Sequence, residues 1–325
     1  MQVENNRLTV SAAPHIHTNM TVSGIMRDVI IALLPSAVFG CVIFGWRAAV
    51  VIITCIASCL LSEFIFNKVM KRKNTIGDLS AVVTGMLLAL NLPPQIPIYM
   101  AVIGSAFAII VVKQIFGGLG KNFMNPALAA RCFMLIAWTS AMTAFVNPLM
   151  GYGADAVSAA TPLAAMKSGA GDIPSLKNAF LGFIPGTIGE TSVLMILIGF
   201  VYLLIRRVIT PRIPLAFVAT FAVLTFFFGN KGDMSAVDYT LMQLCTGGLM
   251  LGAVFMATDY TTTPTTPWGM VIFGIGCGVL TFVIRRFGGY PEGVSFSIIL
   301  MNVAAPLIEK ATRPKSFGEK GGAAQ

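Results

Sequence analysis

The sequence predicts an all-α polytopic membrane protein with about ten transmembrane helices, arranged as two inverted five-helix repeats. Hydrophobic residues make up 56% of the 325 residues and charged residues only 11%. The mean hydropathy is +0.82. A soluble globular domain carries about 25% charged residues, so this chain lacks the polar surface that would let it face water on all sides.

Apolar runs of the length that a membrane helix needs, about 20 residues, recur in two groups of five. The first group lies near residues 26–45, 48–66, 77–92, 97–113 and 124–146. The second group lies near residues 188–206, 212–229, 239–257, 267–285 and 293–309. The third run is short and ends at Asn91-Leu92-Pro93-Pro94, so we expect it not to cross the whole bilayer.

These runs divide the chain into three parts. Residues 1–146 hold a polar N-terminal segment and the first five-helix repeat, and residues 188–325 hold the second repeat and a polar tail. Between them, residues 147–187 are rich in Gly, Ala, Ser and Pro and contain no long apolar run. A loop of this length inside a compact protein favours a functional role over a simple connection.

The basic residues cluster at the ends of the apolar runs, a pattern that orients a membrane protein rather than one that binds nucleic acid. If residues 68–73 are cytoplasmic, about fifteen basic residues lie on that side and six on the other. The six are Arg47, Lys167, Lys177, Lys231, Arg285 and Arg286. Both termini are then cytoplasmic and the 147–187 loop is extracytoplasmic, while Arg131 falls inside a span.

Short motifs recur in the two groups of spans. The pairs are Phe116-Gly117-Gly118 with Phe287-Gly288-Gly289, Met124-Asn125 with Met301-Asn302, and Thr84-Gly85 with Thr246-Gly247. Because five spans is an odd number, two such repeats must be inverted. The inversion places Arg285 and Arg286 outside, against the general charge bias. Inverted repeats are typical of transport folds with a site near the midplane; chance similarity of glycine motifs is the alternative.

Signatures of soluble enzymes are missing from the sequence: there is no P-loop, no HExxH and no GxSxG. His15 and His17 lie in the polar N-terminal stretch, where surface exposure explains them better than metal binding. The six cysteines all lie in apolar runs, which favours buried small side chains over a metal or disulfide role.

Ionisable residues at membrane depth are costly and often functional. Asp78 and Asp259 open or close apolar runs at comparable places in the two halves, so they are the candidates for an ion pathway. The plain alternative, which also covers Glu63, Glu190 and Glu309, is a solvated carboxylate near the end of a span. Pairs of glycines four residues apart, such as Gly274 with Gly278, indicate close helix packing.

The long loop contains Asp155-Ala156-Val157-Ser158-Ala159-Ala160-Thr161. This stretch resembles the flavinylation motif Asp-x-x-Ser-Gly-Ala-Thr of the D subunit of the Rnf complex and of the related B subunit of the sodium-pumping NADH:quinone reductase. In that family a separate magnesium-dependent flavin transferase esterifies the threonine hydroxyl to the phosphate of FMN. The resemblance implies covalent FMN on Thr161, with Asp155 and Ser158 as further cofactor-binding residues. Ala159 departs from the usual glycine but leaves the acceptor in place.

Further blocks of the sequence resemble the same family. They cover residues 11–16, 25–35, 77–85, 120–127, 257–260 and 286–293. The length, without an N-terminal extension, is closer to the Rnf protein than to its quinone-reductase relative. Asn122 and Asn125 resemble an Asn-x-x-Asn-Pro pattern found near a non-covalent riboflavin in the quinone-reductase branch. The alternative for these two residues is a helix cap, since Asn before Pro often begins a helix.

The resemblance implies a membrane redox subunit of an ion-translocating ferredoxin:NAD oxidoreductase, coupled to Na⁺ or H⁺ and not catalytic alone. Its partners would be the other membrane and peripheral Rnf subunits, the flavin transferase and the lipid of the cell (inner) membrane. Two other classes stay open at this point. The inverted repeat alone would equally suit a stand-alone secondary transporter or channel, and the chain could also be a passive membrane scaffold.

Overall fold

A computed structural model describes residues 21–148, 160–168, 173–232, 234–289 and 292–314. Regular structure in these ranges is helical. The helices are α1 Val22–Phe44, α2 Trp46–Val69, α3 Ser80–Leu90, α4 Ile98–Gln114, α5 Pro126–Ala137, α6 Thr139–Met142, α7 Pro162–Ser168, α8 Leu176–Leu181, α9 Val193–Ile205, α10 Arg212–Phe228, α11 Ala236–Cys245, α12 Leu249–Met256, α13 Pro267–Phe287 and α14 Val294–Thr312. Asp155, Ser158, His15 and His17 lie outside the described residues.

The chain is a multi-pass membrane protein, as the composition predicts. Four described helices, α1, α2, α13 and α14, are long and apolar enough to cross a bilayer, and α11 with α12 makes a fifth if that bent pair counts as one span. Large apolar side chains stand exposed on the outer helices, where lipid would cover them: Val38, Val42, Ile53, Leu61, Val223 and Val283. The arrangement of ten spans in two repeats stays a prediction.

Two predicted spans are shorter or more broken than a bilayer crossing. The helix predicted over 77–92 is confirmed as short, since α3 has 11 residues and rises only about 16 Å at 1.5 Å per residue. Leu79 takes a left-handed φ of 63° before it, and Pro93 and Pro94 follow it. The run predicted over 239–257 is helical and apolar but broken. Gly247, with a φ of +70°, separates α11 from α12, and the two differ in direction by 63°.

The predicted span over 124–146 is also wrong in its length. Helix α5 ends at Ala137 and has 12 residues. Trp138 leaves the helical conformation, with φ −136° and ψ 55°, and the four-residue α6 begins directly after it. Apolar composition continues past this break, and composition alone could not reveal where the backbone turns.

The short helices α3 and α12 form the interior of the protein. Ten of the 11 residues of α3 are buried, as are all five residues of the π-helical second part of α12, Gly252–Met256. The ends of the two helices meet, because Asn91 Nδ2, just after α3, lies 3.7 Å from the sulfur of Met256. Two half-length helices buried by longer ones therefore divide the interior into two sides.

Glycines permit the close packing of the outer helices, as the sequence predicts. A Cβ on Gly274 would lie 2.8 Å from the carbonyl oxygen of Ile213 in α10, and one on Gly278 would lie 2.9 Å from that of Phe217. A Cβ on Gly85 would lie 2.8 Å from Cα of Ile56 in α2. Backbones that approach this closely gain dispersion contacts that lipid tails cannot supply.

Candidate functional site

Two cavities lie at opposite ends of α3 and α12. The threonine cavity is lined by Asn91, Arg131, Thr161, Glu190, Gly247 and Glu292, among others. The asparagine cavity is lined by Ser80, Lys113, Asn122, Asn125, Phe255 and Asp259, among others. Each combines apolar walls with a few polar groups, as ligand sites do.

Thr161 lies at the start of α7 and lines the threonine cavity. Its hydroxyl oxygen accepts a hydrogen bond from the backbone N–H of Ala164, at 3.2 Å, which makes it the N-cap of that helix. The side chain is half-buried. A hydroxyl held in this way has a defined position and is still reachable from the cavity.

A buried charged cluster forms the inner wall of the threonine cavity. Arg131 Nη2 lies 2.8 Å from Glu190 Oε1, and the same nitrogen also pairs with Glu292 Oε2. Arg131 Nη1 donates to Asn91 Oδ1 at 2.7 Å. The other oxygen of Glu292 accepts from the backbone N–H of Gly248 at the start of α12. One guanidinium thus connects α5 to the end of α3, to the loop before α9 and to the segment preceding α14.

Burial decides the energetics of this cluster. The side chains of Arg131 and Glu190 are only 8% and 5% exposed, and that of Glu292 is 21% exposed. Removing charges from water costs several kcal/mol for each ion, and only close pairing offsets that cost. Each member of the cluster therefore depends on the others being present.

The asparagine cavity brings Asn122 and Asn125 together with Asp259. Asn122 Nδ2 donates to Thr261 Oγ1 at 3.1 Å, and that hydroxyl donates to Asp259 Oδ2 at 3.0 Å. Asn125 accepts from the backbone N–H groups of Ala127 and Leu128, so the helix-cap interpretation of this residue is confirmed. Asn122 Oδ1 is buried and has no hydrogen-bond partner among the described residues.

A second buried ion pair borders the asparagine cavity. Lys113 Nζ lies 2.9 Å from Glu63 Oε2 and donates to Ser80 Oγ at 2.6 Å. The side chains of Lys113 and Glu63 are 3% and 0% exposed. The interpretation of Glu63 and Glu190 as solvated carboxylates at span ends is therefore wrong. Each is buried against a cation from another helix.

Asp78 and Asp259 lie near the same cavity but at different kinds of position. Asp78 precedes α3 and accepts from the N–H of Ser80 at 2.8 Å, whereas Asp259 follows α12 and lines the cavity itself. Burial raises the pKa of the Asp259 carboxyl, and hydrogen bonds from Thr261 and Thr262 partly oppose that rise. Asp78 does not line this cavity, whereas its hydrogen-bond partner Ser80 does.

The charged cluster around Arg131 is the functional feature that sequence reasoning missed. The signal was present, because Arg131 is an arginine inside an apolar run, and such residues are expected to pair within the protein. Its partners, Glu190 and Glu292, are 59 and 161 positions away along the chain. Nothing in the local sequence identifies partners so distant.

Comparison with known proteins places these features in a family. Residues 9–318 match the model of the NQR2, RnfD, RnfE family. The chain is 46% identical over 315 residues to the D subunit of the Na(+)-translocating ferredoxin:NAD(+) oxidoreductase complex of Acetobacterium woodii, covering 96% of this chain and 95% of that protein.

Two further relatives have the same extent. The chain is 42% identical to the D subunit of the proton-translocating ferredoxin:NAD(+) oxidoreductase complex of Clostridium ljungdahlii, covering 98% of both proteins. It is 35% identical to the D subunit of the ion-translocating oxidoreductase complex of Halorhodospira halophila, covering 94% of both.

Replacing Arg131 tests the energetic role of the charged cluster. Arg131→Gln should destabilise the protein by about 3–5 kcal/mol, because it leaves two buried carboxylates without their cation. Arg131→Gln combined with Glu190→Gln should recover much of that loss. Thermal unfolding in detergent, followed by tryptophan fluorescence, measures both.

The comparison variant is Arg206→Gln, which breaks the ion pair between Arg206 Nη2 and Asp28 Oδ2, 3.1 Å apart, where the arginine is 52% and the carboxylate 9% exposed. Water reaches the arginine and Tyr202 still donates to Asp28 in this variant, so its loss of stability should be smaller than that of Arg131→Gln. Equal losses for Arg131→Gln and Arg206→Gln would contradict the central role of the buried cluster.

Proposed function

This chain belongs to the NQR2, RnfD, RnfE family, and from that premise we propose that it is the redox-carrying membrane subunit of an ion-translocating ferredoxin:NAD oxidoreductase complex. It would work with the other membrane and peripheral subunits and would not be catalytic alone. The observation that supports a redox role most directly is the half-buried hydroxyl of Thr161 on the wall of the threonine cavity.

The residues around Thr161 fit FMN attached through its phosphate. The threonine oxygen would become the ester oxygen: a flavin transferase would move the FMN phosphoryl group from a flavin nucleotide to it, releasing the hydroxyl proton and the remainder of that nucleotide. Phe145 and Phe296 supply apolar surface for a flat ring, and Arg131, already paired with Glu190 and Glu292, lies in the same wall. Attached FMN would supply one- and two-electron transfer. The chain's own part is to hold the group in place and to set the charge around it.

Removing the hydroxyl tests this proposal. Wild-type chain co-expressed with the flavin transferase should fluoresce in a denaturing gel, and the peptide containing Thr161 should gain the mass of one FMN less water. Thr161→Ala should lose both signals, and Thr161→Ser, which keeps a hydroxyl, should retain at least part of them. A fluorescent Thr161→Ala chain would exclude this residue as the attachment point.

The same experiment separates the proposal from its alternatives. A stand-alone transporter or channel predicts no covalent flavin on the wild-type chain even with the transferase present. A passive scaffold predicts that any attached flavin is not reduced by the electron donors of the complex. Reduction can be followed from the bleaching of flavin absorbance.

We propose that a second, non-covalent flavin, riboflavin, occupies the asparagine cavity. The unpartnered Oδ1 of Asn122 among the described residues is a buried acceptor, and the N–H of an isoalloxazine edge would satisfy it. Leaving such an atom without a partner costs about 1–3 kcal/mol. A ligand with a matching donor removes this cost.

Asn122→Leu should therefore lower the amount of flavin released from the protein on denaturation, without changing the covalent FMN. The flavin is quantified by chromatography, and Asn178→Leu, at an exposed position of α8, is the control. Equal non-covalent flavin in both variants would remove Asn122 from the site.

The proposed orientation places Thr161 and the 147–187 loop outside and both termini in the cytoplasm. Lys177 and Lys71 are both exposed and fall on opposite sides in this topology. Since the native cysteines of the described chain are buried or half-buried, new ones can be labelled selectively. An impermeant maleimide on intact cells should label Lys177→Cys and should reach Lys71→Cys only after permeabilisation; the reverse pattern would invert the topology.

The inverted repeat is part of the proposal and gains support from the two cavities. Helix α3 begins with Ser80 at the asparagine cavity and ends beside Asn91 at the threonine cavity. Helix α12 runs the other way, from Gly247 at the threonine cavity to the segment containing Asp259. Helices α5 and α14 likewise begin at opposite cavities. Such an antiparallel relation is what inverted repeats produce.

An ion pathway through this chain would involve Asp259 before Asp78, because only the first of these two lines a cavity. The coupling ion stays open between Na⁺ and H⁺. The relatives at 46% and 42% identity carry names that specify Na⁺ and protons, respectively, so similarity at this level does not choose between them.

A further inference from the structure

A third cavity lies beside the threonine cavity and is separated from it by α7. The lining of this arginine cavity includes Lys167, Thr225, Gln243, Arg285 and Arg286. Leu163 of α7 contributes to the walls of both cavities. No carboxylate is among the described residues that line the arginine cavity, although three of them are cations.

Arg285 is a buried cation without a close counter-ion. It is only 7% exposed, and the described residues place no carboxylate oxygen within 4.0 Å of it. Its Nη1 donates to the backbone oxygen of Gln243 at 2.7 Å and its Nη2 to that of Thr246 at 3.2 Å. Its Nε has no hydrogen-bond partner in the described part of the chain. Gln243 Oε1 accepts from Nη1 at 3.2 Å, and the ring of Phe221 lies 5.0 Å from Cζ. None of these neighbours carries a negative charge.

A second polar atom at this cavity is also unsatisfied. Thr225 of α10 is 2% exposed, and its Oγ1 has no hydrogen-bond partner within the described ranges. An orphaned hydroxyl and an orphaned guanidinium N–H in one cavity wall are both donors. They match a ligand that accepts several hydrogen bonds and carries negative charge.

The nearest acidic groups do not fill this role. Glu292 interacts with Arg285 at longer range, but its two oxygens already accept from Arg131 and from the N–H of Gly248. Glu190 is likewise paired with Arg131. Among the described residues, Arg285 therefore has no carboxylate of its own.

The depth of the cavity in the membrane indicates the source of the anion. Helix α13 is one of the candidate spans, and Arg285 and Arg286 lie in its last turn, where a 21-residue helix reaches the headgroup level. Exposed phenylalanines occur at the adjacent helix ends, where lipid would cover them. They are Phe226, Phe227, Phe228 and Phe287.

We propose that the arginine cavity binds the phosphate of an anionic phospholipid headgroup, with Arg285 Nε and Thr225 Oγ1 as buried donors and Arg286 and Lys167 as outer cations. This site accounts for the two arginines that depart from the positive-inside pattern of the sequence. It is independent of the flavin on Thr161, because none of the residues that carry it holds that group.

Native mass spectrometry of the purified, delipidated full chain tests the site. The probes are dioleoyl phosphatidylglycerol, dioleoyl phosphatidylcholine with the same acyl chains, and inorganic phosphate. Wild type should bind the anionic lipid in preference to the zwitterionic one. Lys167→Gln with Arg286→Gln should weaken that binding about 25-fold, since each basic side chain near an anionic headgroup contributes about fivefold. Arg47→Gln with Lys177→Gln removes two cations outside the cavity and should change it little.

Thr225→Val provides a second, independent variant. Its hydroxyl has no partner in the described part of the chain, so the change should leave the melting temperature of the lipid-free protein unaltered. Loss of one hydrogen bond should nevertheless weaken lipid binding about fivefold. A variant that binds the anionic lipid as wild type does would remove Thr225 from the site.

Three results would overturn the proposal. Equal binding of the two lipids would show no recognition of the negative headgroup. Equal loss in the two double variants would reduce the effect to overall charge. Binding of inorganic phosphate without preference for either lipid would assign the cavity to a soluble anion. Thr161→Ala, which removes the proposed flavin, should bind the lipid as wild type does, so failure of the flavin assignment would leave this site standing.

Discussion

The interior of this protein depends on one buried guanidinium. Arg131 pairs with Glu190 and Glu292 and donates to Asn91, so a single side chain joins the two halves of the chain where their short helices meet. In an apolar interior, the largest energetic cost of a charged side chain is the loss of its hydration. Only a fold that brings these partners together offsets that cost. The cluster therefore constrains where α3, α5, α12 and α14 can lie relative to one another, and the threonine cavity is the space left beside it.

The broken helices and the cavities have a common cause. A helix that spans the bilayer satisfies its own backbone groups, whereas one that stops halfway exposes N–H and C=O groups that must find partners inside the protein. Here the partners are side chains such as Asp78 at the start of α3 and Glu292 at the start of α12. Of these two groups, Glu292 also lines the threonine cavity, while Ser80, the partner of Asp78, lines the asparagine cavity. A fold built on half-length helices thus supplies polar sites at membrane depth, where flavins and ions could be held.

The proposed sites differ in how the protein satisfies charge. Arg131 in the threonine cavity and Lys113 beside the asparagine cavity each have a close carboxylate. At the arginine cavity the guanidinium of Arg285 has backbone carbonyls instead, so its charge is not neutralised by the described residues. Of these three environments, only the arginine cavity needs an external anion to neutralise its cation. Its place at the end of α13 makes the surrounding membrane the natural source.

The membrane class, the approximate positions of the helical segments and, through resemblance, the family and the proposal for Thr161 could be predicted from the sequence. These follow from composition and local motifs, which do not depend on distant contacts. The breaks within the predicted spans, and the pairing of Arg131 with Glu190 and Glu292, were decided only by the tertiary structure. Apolar composition is the same in a full span and in a buried half-helix, and a buried charge selects partners by proximity in space. Asn125 illustrates both cases. The proline that follows it in the sequence indicates a helix cap, whereas its place in a cavity with Asp259 could not be predicted.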